Sequence, residues 1–88
     1  MKIKCYDFTE QTNYKVRSVH ILDAAFDRRG HLLVWVAEAD NFAEQTLWVK
    51  LAEDGAMIGP DEGYLKTLCD SLGHFWHILT KMLIYVKE

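Results

Sequence analysis

The side chains best suited to recognition chemistry are aromatic and basic residues on the outward phase of alternating segments. These residues are Trp35, Trp48, Lys50, Tyr85 and Lys87, and a hairpin turn adds Arg28 and Arg29. Aromatic rings stack on nucleobases, and ammonium or guanidinium groups neutralise phosphates. This combination predicts a surface that binds single-stranded nucleic acid. The alternative is that Trp35 and Trp48 are buried against residues 2–8 or against a second copy of the chain, because strands with two apolar faces are usually covered.

No catalytic or cofactor-binding motif accompanies these residues. The chain has no glycine-rich phosphate loop, no HExxH pair and no nucleophile elbow, so we expect no enzyme activity, no catalytic residue and no cofactor. Cys69, His74 and His77 form a C-x4-H-x2-H series, but this spacing matches no standard zinc finger. Cys69 also fits an apolar helical stripe. We therefore expect no metal site.

The charges are unevenly distributed along the chain. The net charge is −3, yet residues 1–37 hold six Lys or Arg against four Asp or Glu, whereas residues 38–62 hold one Lys against seven acidic residues. The acidic residues are Glu38, Asp40, Glu44, Glu53, Asp54, Asp61 and Glu62. An acidic surface can mimic phosphate. The second hypothesis is therefore a small protein-interaction module, an inhibitor or adaptor of phage or mobile-element origin. The alternative is that these acidic residues form a solvated face that only confers solubility.

The strands that would position these residues are organised around one hairpin. Asp27 to Gly30 forms its turn, and Gly30 can supply the positive φ that such a turn needs. The predicted barrel strands are 14–27, 31–38, 45–51 and 81–87, with residues 2–8 as an edge strand. A phase slip near Arg17 and Ser18 predicts a β-bulge. Leu32, Val34 and Val36 are expected to face the core, as are Leu47, Val49 and Leu51.

One helix is predicted over residues 61–72. Pro60 suits its first turn, and Leu65, Leu68, Cys69 and Leu72 follow the i, i+3, i+4, i+7 spacing of an amphipathic stripe. Gly73 suits the position after its end. Residues 74–80 remain open between a loop and a short helical turn. Met82, Ile84 and Val86 are expected inward on the closing strand.

This element order predicts a mainly β protein with one α-helix, an α+β class. The expected architecture is a small, partly open, OB-like antiparallel β-barrel in one domain of residues 1–88, with residues 2–8 in place of the absent fifth strand. Cys5 and Cys69 lack a disulfide framework, and no targeting or membrane-spanning segment is evident. We therefore expect reduced cysteines and a cytoplasmic protein without a membrane partner.

The chain resembles the small OB-fold single-stranded-DNA-binding proteins of phage replication modules. The resemblance is a set of hydrophobic patterns with their spacings, and it covers residues 14–87. They are Tyr14 to Val16 running into Ile21 to Ala24, Gly30 to Val36, and Leu65 to Gly73 followed by Leu79 to Val86. The acidic balance and the absent fifth strand depart from the family pattern. The resemblance implies single-strand binding, with a protein partner or a homodimer as the alternatives.

Overall fold

The protein is all-β over the part of the chain that the structure describes. The computed structural model describes residues 1–84 and holds seven strands there. They are β1 (Lys2–Asp7), β2 (Asn13–Val16), β3 (Ser18–Phe26), β4 (Leu32–Glu38), β5 (Gln45–Ala52), β6 (Gly63–Cys69) and β7 (Phe75–Ile84). No helix occurs among residues 1–84. The predicted α+β class is therefore wrong.

The strands form two antiparallel sheets instead of one barrel. The three-stranded sheet has the order β1-β4-β3, and the four-stranded sheet has the order β2-β5-β7-β6. The inner faces of both sheets contribute to one core, which includes Val34 and Val36 from β4 and Leu47 from β5. Lys66 of β6 bonds to Asp23 of β3 at 2.7 Å, where the two sheets approach each other. The predicted OB-like barrel is wrong because the described strands do not close it.

The predicted helix at residues 61–72 is a β-strand. β6 pairs with β7 from Gly63 opposite Thr80 to Cys69 opposite Phe75, with a bulge between Tyr64 and Lys66. An amphipathic helix of this length is marginal alone, because its stability comes from tertiary packing. Pairing with β7 supplies a ladder and packs Leu65 and Leu68 against the core. The same pairing places residues 75–80, which the sequence left undecided, in β7.

The turn between β6 and β7 repeats the turn between β3 and β4. In the first, the Asp27 side chain accepts hydrogen bonds from the backbone of Arg29 and His31, and Gly30 has a φ of +79°. In the second, the Asp70 side chain accepts from the backbone of Leu72 and His74, and Gly73 has a φ of +83°. Both turns have the sequence D-x-x-G-H. The predicted hairpin at residues 27–30 is confirmed.

The predicted long strand at residues 14–27 is broken in two at Arg17. β2 pairs with β5 in one sheet, and β3 pairs with β4 in the other. The bulge predicted near Arg17 and Ser18 is matched by a register shift between Ser18 and His20, but the chain also changes sheets at Arg17. β3 carries its own register shifts, after Ser18 and after Ile21.

The predicted inward faces of β4 and β5 are confirmed with one exception. Leu32, Val34, Val36, Leu47 and Val49 are buried. Leu51 was also predicted inward, but it is 40% exposed. β1 pairs with β4 along its whole length, so residues 2–7 do take an edge position. Of the predicted closing strand, residues 81–84 belong to β7, and residues 85–87 lie outside the described residues.

Candidate functional site

The candidate site lies on the outer face of the four-stranded sheet, where β5 meets β7. Trp48 pairs directly with Lys81 across the two strands, and Lys50 lies two positions further along β5. Directly opposed residues share a face, as do alternate residues of one strand. The pairing therefore brings one aromatic ring and two ammonium groups to adjacent positions. Trp48 is 40% exposed, although the residues on either side of it, Leu47 and Val49, are buried.

A groove of about 440 Å³ runs beside these three side chains. Its walls also include Thr12, Val49, Glu62, Leu79 and Thr80. Most of the exposed lining surface is apolar, although the charged groups of Lys50, Glu62 and Lys81 also line the groove. A concave apolar floor with a few polar groups is the usual form of a ligand site.

Both lysines of the groove already hold a carboxylate. Lys50 Nζ lies 2.7 Å from Glu62 Oε2, and Lys81 Nζ lies 2.8 Å from Asp61 Oδ2. The hydrogen bond from Lys50 lowers the pKa of Glu62, and the hydrogen bond from Lys81 lowers the pKa of Asp61. The hydrogen bond to Asp61 in turn raises the pKa of Lys81. Asp61, Glu62 and Lys81 are therefore charged at neutral pH.

The two carboxylates belong to the segment that joins β5 to β6. We call residues 53–62 the acidic strap. Its other end is held by Asp54, whose side chain bonds to Nε2 of His77 on β7. Nδ1 of His77 bonds to the hydroxyl of Thr67 at 2.8 Å.

The acidic strap lies over one half of the outer face. Leu79 opposes Lys50 and so belongs to this face, yet it is only 2% exposed. An open pocket of about 240 Å³ lies between strap residues, among them Asp54, Ala56 and Ile58, and Leu79 of β7. The strap therefore covers the His77 end of the face and reaches the groove at Asp61 and Glu62.

The structure brings together two of the seven residues predicted for the site. Trp48 and Lys50 share a face, whereas Trp35 lies in the other sheet, opposite Cys5 of β1 and Asp23 of β3. Arg28 and Arg29 are exposed at the tip of the β3–β4 hairpin. Tyr85 and Lys87 lie outside the described residues. A single face holding both Trp35 and Trp48 is therefore not formed.

Lys81 is the site residue that sequence reasoning missed. The signal for it was present, since residue 81 shares the outward phase of the segment in which Met82 and Ile84 were expected inward. Alternation alone does not place Lys81 in the site, because only the β5–β7 register puts it opposite Trp48. That register depends on pairing between residues 25 to 39 positions apart.

Trp35 lies on the outer face of the three-stranded sheet. Ile3 pairs with Ala37 and Cys5 pairs with Trp35, so these four residues share that face. Trp35 is half-buried, while Ile3 is 72% exposed. Residues 2–7 extend this sheet sideways and do not cover its face. The alternative that Trp35 packs against residues 2–8 is therefore met only in part, since Trp35 lies beside Cys5 of β1 and is not covered by it.

Most of the acidic run is engaged with basic groups. Glu38 is buried and accepts hydrogen bonds from the hydroxyl of Tyr6 at 2.6 Å and the backbone N–H of Arg17 at 2.7 Å, with Lys4 Nζ 3.5 Å away. Glu44 pairs with Lys15 at 3.9 Å. Together with Asp54, Asp61 and Glu62, five of the seven acidic residues are partnered. They do not form one free acidic surface.

Within residues 1–84, no three His, Cys, Asp or Glu side chains converge to hold a metal ion. His77 bonds to Thr67 and Asp54, and His74 lies 3.9 Å from Asp70. Cys5 and Cys69 are both exposed and free. Over the same residues there is no helix long and apolar enough to cross a membrane.

Comparisons with protein-family models, with curated proteins and with solved structures found no match to this chain. The resemblance to phage single-stranded-DNA-binding proteins therefore stays a prediction.

Proposed function

We propose that this protein is a non-enzymatic module that binds single-stranded nucleic acid on the outer face of its four-stranded sheet. The observation that supports the proposal best is the direct β5–β7 pairing of Trp48 with Lys81, with Lys50 beside them. The ring of Trp48 would stack on one base, and the two ammonium groups would contact the flanking phosphates. We place the protein in the cytoplasm, whose reducing conditions suit its two exposed free cysteines.

This arrangement suits binding without sequence preference. Every base has a π-face, so stacking on Trp48 does not distinguish one base from another. Lysine ammonium groups act on phosphate as point charges and carry no sequence information. Trp35 is in the other sheet, so the proposed contact is limited to the β5–β7 groove.

The test is the affinity of a fluorescently labelled oligo-dT, measured by anisotropy at low and high salt. Stacking on one aromatic ring contributes about 1–3 kcal/mol, so Trp48→Ala should weaken binding about five- to 150-fold. Trp35→Ala is the matched control and should leave the affinity unchanged. Circular dichroism establishes that each variant is folded. Binding that falls steeply with salt supports phosphate neutralisation. Folded wild-type protein that does not bind at low salt would refute the proposal.

A second candidate is a protein-interaction module that uses the three-stranded sheet. The outer face there carries Ile3, Cys5 and Trp35, with Ile3 72% exposed. β1 is also an edge strand, so its outer hydrogen-bonding groups have no strand neighbour among the described residues. An apolar face beside an open edge suits strand addition by a partner or a second copy. A partner that binds the acidic residues 38–62 gains no support, because most of their carboxylates already pair with basic side chains of the same chain.

The two candidates use different sheets, which separates their tests. Ile3→Lys should reduce self-association in analytical ultracentrifugation if the edge forms a homodimer, and it should not change oligo-dT binding. A monomeric wild-type protein would exclude the homodimer. Trp48→Ala should weaken oligo-dT binding and leave self-association unchanged.

A further inference from the structure

We infer that the acidic strap is an intramolecular competitor for the groove, because its carboxylates hold the two lysines that would contact phosphate. This inference rests on the proposed function of that groove. Asp61 and Glu62 are consecutive in the chain, and they contact lysines on two neighbouring strands. The strap thereby presents two adjacent negative charges to the site, as a stretch of phosphate backbone would.

The strap occupies the site with little other attachment. Residues 53–62 lie outside the strands, and their own backbone bonds are local turns, Ala56 to Glu53 and Glu62 to Gly59. Met57 and Ile58 are 87% and 55% exposed, so the two largest apolar side chains of the strap are not packed into the core. The strap is held to the sheet by ion pairs with Lys50 and Lys81, by the hydrogen bond between Asp54 and His77, and by its cover over Leu79.

Such attachment is reversible without unfolding the sheet. Segments with few buried apolar contacts open locally at a small fraction of the global stability. Exposed ion pairs also weaken with salt. Nucleic acid binding would exchange a carboxylate for a phosphate at each lysine, so the net gain at the groove is smaller than for lysines without a partner. We therefore expect wild-type protein to bind single-stranded nucleic acid more weakly than a variant whose strap lacks these carboxylates.

The decisive experiment compares three proteins for oligo-dT affinity at low salt. Asp61→Asn with Glu62→Gln removes both charges while keeping an acceptor oxygen, which Gly59 N–H uses on Glu62. Asp40→Asn with Glu44→Gln removes the same charge and breaks only the Lys15 pair, which is not part of the groove. The strap variant should bind about two- to 30-fold more tightly than wild type, the range expected for losing two partly exposed ion pairs at the surface. The control should change far less.

The outcomes separate this inference from the proposed function. Equal gains in the strap variant and the control would mean that only net charge matters, and the inference would fail while binding stands. No change in either variant would also overturn it. If none of the three proteins binds at the lowest salt, the proposed function itself fails.

Hydrogen exchange gives an independent readout in the wild-type protein. The amides of Gly59 and Glu62 are bonded within the strap. Saturating oligo-dT should accelerate their exchange if the ligand displaces the strap. Unchanged or slower exchange in the bound protein would contradict displacement.

Discussion

Glu38 should be the most sensitive polar position of this protein. Its carboxylate lies at the end of β4, where the three-stranded sheet meets the change of sheet at Arg17. It accepts hydrogen bonds from the hydroxyl of Tyr6 on β1 and the backbone N–H of Arg17, and it lies 3.5 Å from Lys4. One buried side chain thus joins β1, β4 and the β2–β3 junction.

The cost of removing this carboxylate follows from those contacts. A hydrogen bond to a charged acceptor contributes about 1.5–3 kcal/mol, and a buried donor left without a partner loses its solvation as well. Glu38→Ala removes two such bonds, so we expect a loss of about 3–5 kcal/mol of unfolding free energy. A domain of this size has about 5–15 kcal/mol in total. Glu38→Gln keeps one acceptor oxygen and should cost about 1–2 kcal/mol, as should Tyr6→Phe.

Urea unfolding followed by circular dichroism measures these differences, and its pH dependence checks their origin. Desolvation raises the pKa of Glu38, but the hydrogen bonds from Tyr6 and Arg17 and the charge of Lys4 outweigh it, so the net pKa lies below the ordinary 4.5. A carboxyl with a lowered folded-state pKa stabilises above its unfolded value and loses that contribution as pH falls through the folded value. The gap between wild type and Glu38→Gln should therefore narrow below about pH 4.5.

At alkaline pH, the stability of the protein depends on ionisation of Tyr6. Desolvation, followed by the hydrogen bond to Glu38 and its charge, raises the pKa of the Tyr6 phenol well above 10. A raised pKa stabilises below the unfolded value and loses that contribution as pH rises through the folded one. Tyr6→Phe should therefore remove part of the stability loss at alkaline pH.

A Glu38→Ala variant whose unfolding free energy lies within 1 kcal/mol of wild type at pH 7 would refute the prediction for Glu38.

Two further predictions concern packing and turns, both measured by urea unfolding. Leu47→Ala leaves a cavity at a fully buried position and should cost about 2–5 kcal/mol, whereas Leu72→Ala at a 79% exposed position should stay within about 0.5 kcal/mol. Equal effects would contradict the placement of β5 in the core. Gly30→Ala and Gly73→Ala place a side chain on a backbone with positive φ, and each should lower the unfolding free energy by about 1 kcal/mol. Gly63 does not have a positive φ, and a Cβ added there would lie 3.7 Å from its nearest neighbour, the hydroxyl of Thr80. Gly63→Ala should therefore be close to neutral. A costly Gly63→Ala with harmless turn variants would reverse that interpretation.

Local chemistry made the first hairpin predictable and could have identified the second. The segments D-R-R-G-H and D-S-L-G-H carry the same capping Asp and the same glycine, and both form hairpin turns. Sequence reasoning assigned Gly73 to a helix end instead, because Leu65, Leu68 and Leu72 also fit a helical period. Short apolar runs do not distinguish the two periods. The segment is a strand and not a helix because β7 pairs with it along its length.

The sequence by itself determined which segments are strands around the first hairpin, which of their faces are buried, and where Gly30 must turn the chain. These follow from period-2 alternation and the conformational freedom of glycine, both of which are local. Only the tertiary structure decided the change of sheet at Arg17, the separation of Trp35 from Trp48, and the pairing of Lys50 and Lys81 with the acidic strap. Alternation states which way a side chain points but not which strand lies beside it, because strand neighbours are chosen by hydrogen bonds between distant parts of the chain.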